Sequence, residues 1–261
     1  ASKQSMLLSR ILVFLSPLLI GLALFLGLAS YNQNFYYFLI SLALFPILAV
    51  LLITKLAKLK NWQEIGFYLA KFTLFTLSVV AIVIFLEDRT LKLSIIVLAV
   101  VILFFYFNKF FNFLFRQTVL FKEKDFSSFL FLDLIVLFNV SSALFAFRDF
   151  LYFSNWWLLI ILGFAVLLID LFNDLIIYKL ERFSLISVLI SVIIALEIFW
   201  GVLSLPFFYY LKASLFAGFF LIYLISKDLY YQRQKNSLVF KLYLIMVLAA
   251  VLLILLTAKW F

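Results

Sequence analysis

The 261-residue chain has no cysteine and no histidine, only six glycines and three prolines, and 12 acidic residues against 21 basic ones. The missing thiols and imidazoles remove the usual zinc donor sets, His- or Cys-ligated haem, and Ser-His or Cys-His nucleophile pairs. Disulfides are impossible, so the redox state of the compartment leaves no trace in the sequence. Scarce glycine and proline, like the abundance of phenylalanine, are as well explained by a genome's base composition as by function. Carboxylates, lysines, tyrosines and hydroxyls are left for chemistry. The shortage of acid gives a net charge of +9, but the basic residues lie in short segments between apolar runs and form no long stripe. Nucleic acid is therefore not an expected partner.

Apolar residues are plentiful. They make up 68% of the chain, against about 45–50% in soluble domains, and several runs exceed the ~18 residues that mark a bilayer-spanning helix. The expected fold is a single all-α, polytopic membrane domain over residues 1–261 with no soluble domain. Nine spans are predicted, at 9–30, 35–54, 64–86, 91–113, 127–147, 154–178, 183–204, 207–226 and 238–258. The first resembles a signal peptide in its flanking charge and small-residue end, but it is longer than the ~7–15 residues of such an apolar region. It is expected to be a retained span.

Alternate connections differ sharply in basic residues. One set, from Lys3 and Arg10 to Lys227, Arg233 and Lys235, carries fourteen Lys and Arg, and the other carries four: Arg89, Lys92, Arg148 and Lys259. By the positive-inside rule this predicts a cytoplasmic N-terminus, an outer C-terminus and an odd number of spans. A prokaryotic plasma membrane is the expected location, with the lipid bilayer and other membrane subunits as partners.

Six ionisable residues fall well inside predicted spans: Lys71, Asp133, Asp170, Asp174, Glu197 and Lys212. Each is expected to have a role or a partner, since it costs roughly 2.5–3.5 kcal/mol at mid-helix. In the sixth span Asp170, Asn173 and Asp174 stand at i, i+3 and i+4 on one helix face, which marks an interior. Lys71, Asp133 and Asp170 fall at a common depth, about 5–8 Å to the cytoplasmic side of the midplane at 1.5 Å per residue. One lysine cannot neutralise three carboxylates, so this group is a candidate cation or proton site, with Asn173 adding an oxygen. Hard oxygen donors suit Na⁺, H⁺ or Mg²⁺, and no other cofactor is implied. Asn139, Ser141, Ser142, Ser187 and Ser191 are candidates to line the same interior. Near the Ser204-Leu205-Pro206 turn, Glu197 and Lys212 lie at similar depths on two antiparallel spans and are expected to form a structural ion pair.

Asp170, Asn173 and Asp174, toward the cytoplasmic end of the sixth of nine spans, also resemble one aspartate-rich motif of the intramembrane aromatic prenyltransferases. The resemblance implies Mg²⁺ on Asp170 and Asp174, holding a diphosphate with help from basic groups such as Lys179 or Arg182. It covers those three residues only. The family's other motif, Asn-Asp-x-x-Asp near the second and third spans, has no counterpart in Thr54-Lys-Leu-Ala-Lys-Leu-Lys-Asn-Trp-Gln-Glu64. Two functional expectations follow. One is a non-enzymatic membrane protein, either a small permease-like transporter or a structural subunit of a membrane complex. The other is a membrane-embedded enzyme acting on a lipid-linked or diphosphate substrate. Transport requires a water-accessible path to the carboxylates, whereas a scaffold would have them closed off and paired.

Overall fold

The computed structural model describes residues 3–29, 46–55, 62–116, 123–177, 185–232 and 245. Among them the elements are helices: α1 (Lys3–Ala29), α2 (Pro46–Lys55), α3 (Trp62–Phe85), α4 (Arg89–Arg116), α5 (Glu123–Leu151), α6 (Asn155–Ile177), α7 (Leu185–Leu203) and α8 (Tyr209–Gln232). Six of these, α1, α3, α4, α5, α7 and α8, are long and apolar enough to cross a membrane. Pro46–Lys55 and Asn155–Leu171 are shorter apolar helices. The protein is thus an all-helical, multi-pass membrane protein among its described residues. The predicted span at 238–258 lies outside them, apart from Ile245.

The distribution of side chains is that of a protein dissolved in lipid. Leu7, Ile11, Leu18 and Leu22 of α1 and Val97, Leu98 and Val101 of α4 are exposed, while Lys71, Asp133, Asp170 and Lys212 are buried. Lipid chains solvate leucine and cannot solvate an ammonium, so the polar groups turn inward. Several hydroxyls on the helices are satisfied by their own backbones, as where Thr76 Oγ1 donates to the Phe72 carbonyl at 2.8 Å. Lipid offers the backbone and its polar side chains no alternative partner.

The chain divides into two compact units, Ala1–Leu132 and Asp133–Phe261. In the first, α1 packs along α4 and α3 packs on α4. Gly21 lies against Val100 so closely that a Cβ there would collide with the valine methyl. Phe72 stacks on Phe107 at 4.4 Å between ring centres, and Tyr68 meets Phe110 at 4.5 Å. With no water to expel between helices, such contacts are what holds them together. The α3–α4 turn ends at Asp88, whose Oδ1 accepts from the Thr90 N–H at 2.8 Å and the Thr90 hydroxyl at 2.6 Å, capping α4.

In the second unit α6 packs on α7 and α7 on α8. Phe145 of α5 stacks on Phe199 of α7 at 4.4 Å, and Phe216 of α8 meets Phe199 edge-on at 5.8 Å. Three residues, Tyr152 to Ser154, join α5 to α6. Tyr152 adopts a left-handed φ of 52°, and the Ser154 carbonyl accepts from the N–H groups of Trp157 and Leu158 in the first turn of α6. Pro206 lies in the α7–α8 turn. On α7 the buried residues Ser187, Ser191, Ala195 and Phe199 recur every fourth position, the spacing of one helix face.

Candidate functional site

The second unit has a polar interior to which four helices contribute. Asp133 comes from α5, Asp170 and Asn173 from α6, Ser187 and Ser191 from α7, and Tyr223 and Lys227 from α8. Spacing explains why α6 gives two of these. Three residues apart on a helix, Asp170 and Asn173 share a face.

Asn173 Nδ2 donates to Asp133 Oδ2 at 2.8 Å. The bond also fixes the amide's orientation, since its other end is an acceptor with nothing to offer a carboxylate. Asn173 Oδ1 is then left buried with no hydrogen-bond partner among the described residues, on a residue only 7% exposed. Lys227 Nζ bonds Asp170 Oδ2 at 2.6 Å, with the two side chains 7% and 3% exposed. A weaker approach at 3.4 Å brings the same ammonium to Ser191 Oγ. Ser191 spends its own hydrogen on the Ser187 carbonyl at 3.0 Å, so Tyr223 is the donor in the 2.7 Å contact between their hydroxyls. Asp170, Lys227, Ser191 and Tyr223 thus form one connected network across α6, α7 and α8.

Of the predicted site residues, the structure brings Asp133 and Asn173 together and gives Asp170 a cation. Lys71 belongs to the first unit, where it is buried on α3. The side chain of Asp174 and the residues Lys179 and Arg182 lie outside the described residues. Among the described residues no group of three or more carboxylates gathers to hold a metal ion. Asn139, Ser141 and Ser142 are buried as well, and Ser142 Oγ has no hydrogen-bond partner among the described residues.

The expected Glu197–Lys212 pair is corrected. Lys212 instead bonds both carboxylate oxygens of Asp149, at 3.1 and 3.2 Å, and Glu197 is exposed. Depth along the two helices is compatible with the expected pair, but facing is not. Glu197 is two residues from buried Ala195, roughly 200° around a helix of 3.6 residues per turn, so it points away from the stripe that packs.

The sequence reading missed Lys227 and Asp149 for one reason. Both lie just past the ends of the apolar runs, at 226 and 147, while the helices continue to Gln232 and Leu151. Apolarity reports where lipid ends and says nothing of where the helix does. The signal that would have found them is a lysine stem long enough to reach back into the span.

No known family, no curated protein and no solved structure matches this chain.

Proposed function

We propose that the protein is a non-enzymatic structural subunit of a membrane complex, its second unit held by a closed, charge-paired polar interior. The observation that carries this reading is the Asp170–Lys227 pair, a carboxylate and an ammonium of opposite charge at 2.6 Å with both side chains almost fully covered. A carboxylate already held by an internal ammonium and screened from water has the character of a packing element, and Asp133, 0% exposed, is likewise closed off from water with the Asn173 amide bonded to it. In this reading all 261 residues belong to one membrane domain that crosses a prokaryotic plasma membrane nine times, with the N-terminus in the cytoplasm and the C-terminus outside. The fourteen-to-four division of basic residues between alternate connections supports that topology. So does the length of α6, whose 23 residues reach about 34 Å.

A second reading is favoured by one atom. The Asn173 Oδ1 left without a donor beside Asp133 suits a small cation or a proton-bearing ligand, which would make Asp133, Asp170, Asn173 and, one turn along α6, Asp174 the ion site of a permease-like transporter. Thermal unfolding of the detergent-purified protein separates the two, with choline chloride holding ionic strength constant. As a structural pair, Asp170→Asn or Lys227→Met alone lowers stability by about 3–5 kcal/mol, and the double variant recovers most of the loss. Na⁺ and Mg²⁺ then shift wild type and double variant alike. As an ion site, a cation at 100 times its dissociation constant stabilises wild type by about 2.7 kcal/mol and leaves Asp170→Asn unmoved, and the structural reading falls.

A further inference from the structure

Helix α7 has an outer face as well as an inner one. Ile186, Ile190, Ile193, Glu197, Trp200 and Gly201 follow one another at helical spacing, and all are exposed. Five of these are what lipid accepts. Glu197 is not, and it makes no ion pair or hydrogen bond with any described residue. It lies about 9 Å along the helix from the end of α7, within the stretch Leu185–Leu203 that is long and apolar enough to span. Glutamate is too short to reach far toward the interface in the manner of lysine. One turn further, Gly201 is open: a Cβ built there meets nothing within 4 Å. A small residue one turn from a buried-depth carboxylate allows another helix backbone to approach and a cation to meet the acid.

We infer that the Glu197–Gly201 face of α7 is the docking site for a transmembrane helix of another protein, one that carries a lysine or arginine about 9 Å inside the outer boundary. The inference rests on the subunit reading above and names the partner's chemistry. A second copy of this chain supplies no such cation: a two-fold contact through this stripe would set Glu197 against its own symmetry mate.

Two measurements test it. In the first, wild type, Glu197→Gln and Gly201→Leu are reconstituted in phosphatidylcholine vesicles with a labelled synthetic helix of about 20 leucines and alanines. The helix carries one lysine about 9 Å from its outer end, or leucine there as the control, and association is read by energy transfer. Wild type should bind the lysine helix at least roughly tenfold more tightly than the control, the scale of about 1.4 kcal/mol. That preference should vanish in Glu197→Gln, and Gly201→Leu should weaken binding of both helices. Both variants change exposed positions, so unaltered thermal unfolding is expected to accompany the loss. Equal binding of the two helices by wild type, or an undiminished preference in Glu197→Gln, overturns the inference. In the second, mass is measured after mild solubilisation from native membranes. A wild-type complex that breaks down in Glu197→Gln supports the inference. One that survives the substitution overturns it while leaving the subunit reading intact, a homodimer overturns it in favour of a second copy, and a wild-type monomer removes both.

Discussion

Lys212 of α8 holds both carboxylate oxygens of Asp149 at the end of α5, and the two partners are unequally covered: the lysine side chain is 8% exposed and the aspartate 31%. The asymmetry governs what each substitution does. Asp149→Asn strands the more buried charge and should cost about 2–3 kcal/mol, somewhat less than the ~3–5 kcal/mol of breaking a fully buried pair. Lys212→Met leaves behind a carboxylate that water reaches, at a cost of about 1 kcal/mol. Glu197→Gln should fall within about 0.5 kcal/mol of wild type. Chemical unfolding in mixed micelles ranks the three, and equal losses for Asp149→Asn and Lys212→Met would show that burial does not set the difference.

Two glycines make a matched test of packing. Gly21→Ala drives a methyl into Val100, whose β-branched side chain has little rotamer freedom on a helix, and should destabilise the first unit by about 1–3 kcal/mol, the usual cost of overpacking. Gly163→Ala meets Val192 and Leu196 at ordinary contact distances of 3.6 and 3.7 Å. It should be neutral or stabilising by up to about 1 kcal/mol through helix propensity. Thermal unfolding should show a loss of stability for Gly21→Ala and none for Gly163→Ala.

The turn before α4 carries a pH dependence. The Thr90 hydroxyl and N–H bonded to Asp88 hold its carboxyl below the ordinary value of 3.8. A lowered carboxyl contributes stability that is fully present above the ordinary value and is lost as pH falls through the lower, folded one. Protection of the Thr90 amide, its exchange rate relative to the intrinsic rate at each pH, should therefore fall only in strong acid. Asp88→Asn caps nearly as well without titrating, and should abolish that pH step while leaving the amide protected.

Topology can be read directly because the chain lacks cysteine. Single substitutions Ser154→Cys and Ser204→Cys should react in intact cells with a membrane-impermeant maleimide, whereas Lys122→Cys and Ser237→Cys should react only after permeabilisation. Labelling of Ser237→Cys from outside would reverse or break the proposed nine-span order.

The membrane architecture was legible because lipid imposes it, through long apolar runs and inward-facing acids. Asp170 and Asn173 declared a common face by spacing alone, and Asp133 by depth. What sequence could not supply was azimuth and reach. Glu197 has the right depth for Lys212 and the wrong side of its helix, although the fourfold recurrence of Ser187, Ser191, Ala195 and Phe199 already marked the packed side. Lys227 and Asp149 were hidden by the opposite fault, being assigned to connections because hydrophobicity had ended, while backbone hydrogen bonding had not.

The short α5–α6 turn works as a ruler. Asp133 stands about 27 Å of helix before the turn and Asn173 about 27 Å after it, so a hairpin folded at Tyr152 delivers the amide level with the carboxylate. Phase is as fixed as distance. One residue added within α6 above Asp170 would turn everything below it by about 100°, carrying both Asp170 and Asn173 off the interior together. Length variation between α5 and Asn173 is thereby confined to whole helical turns.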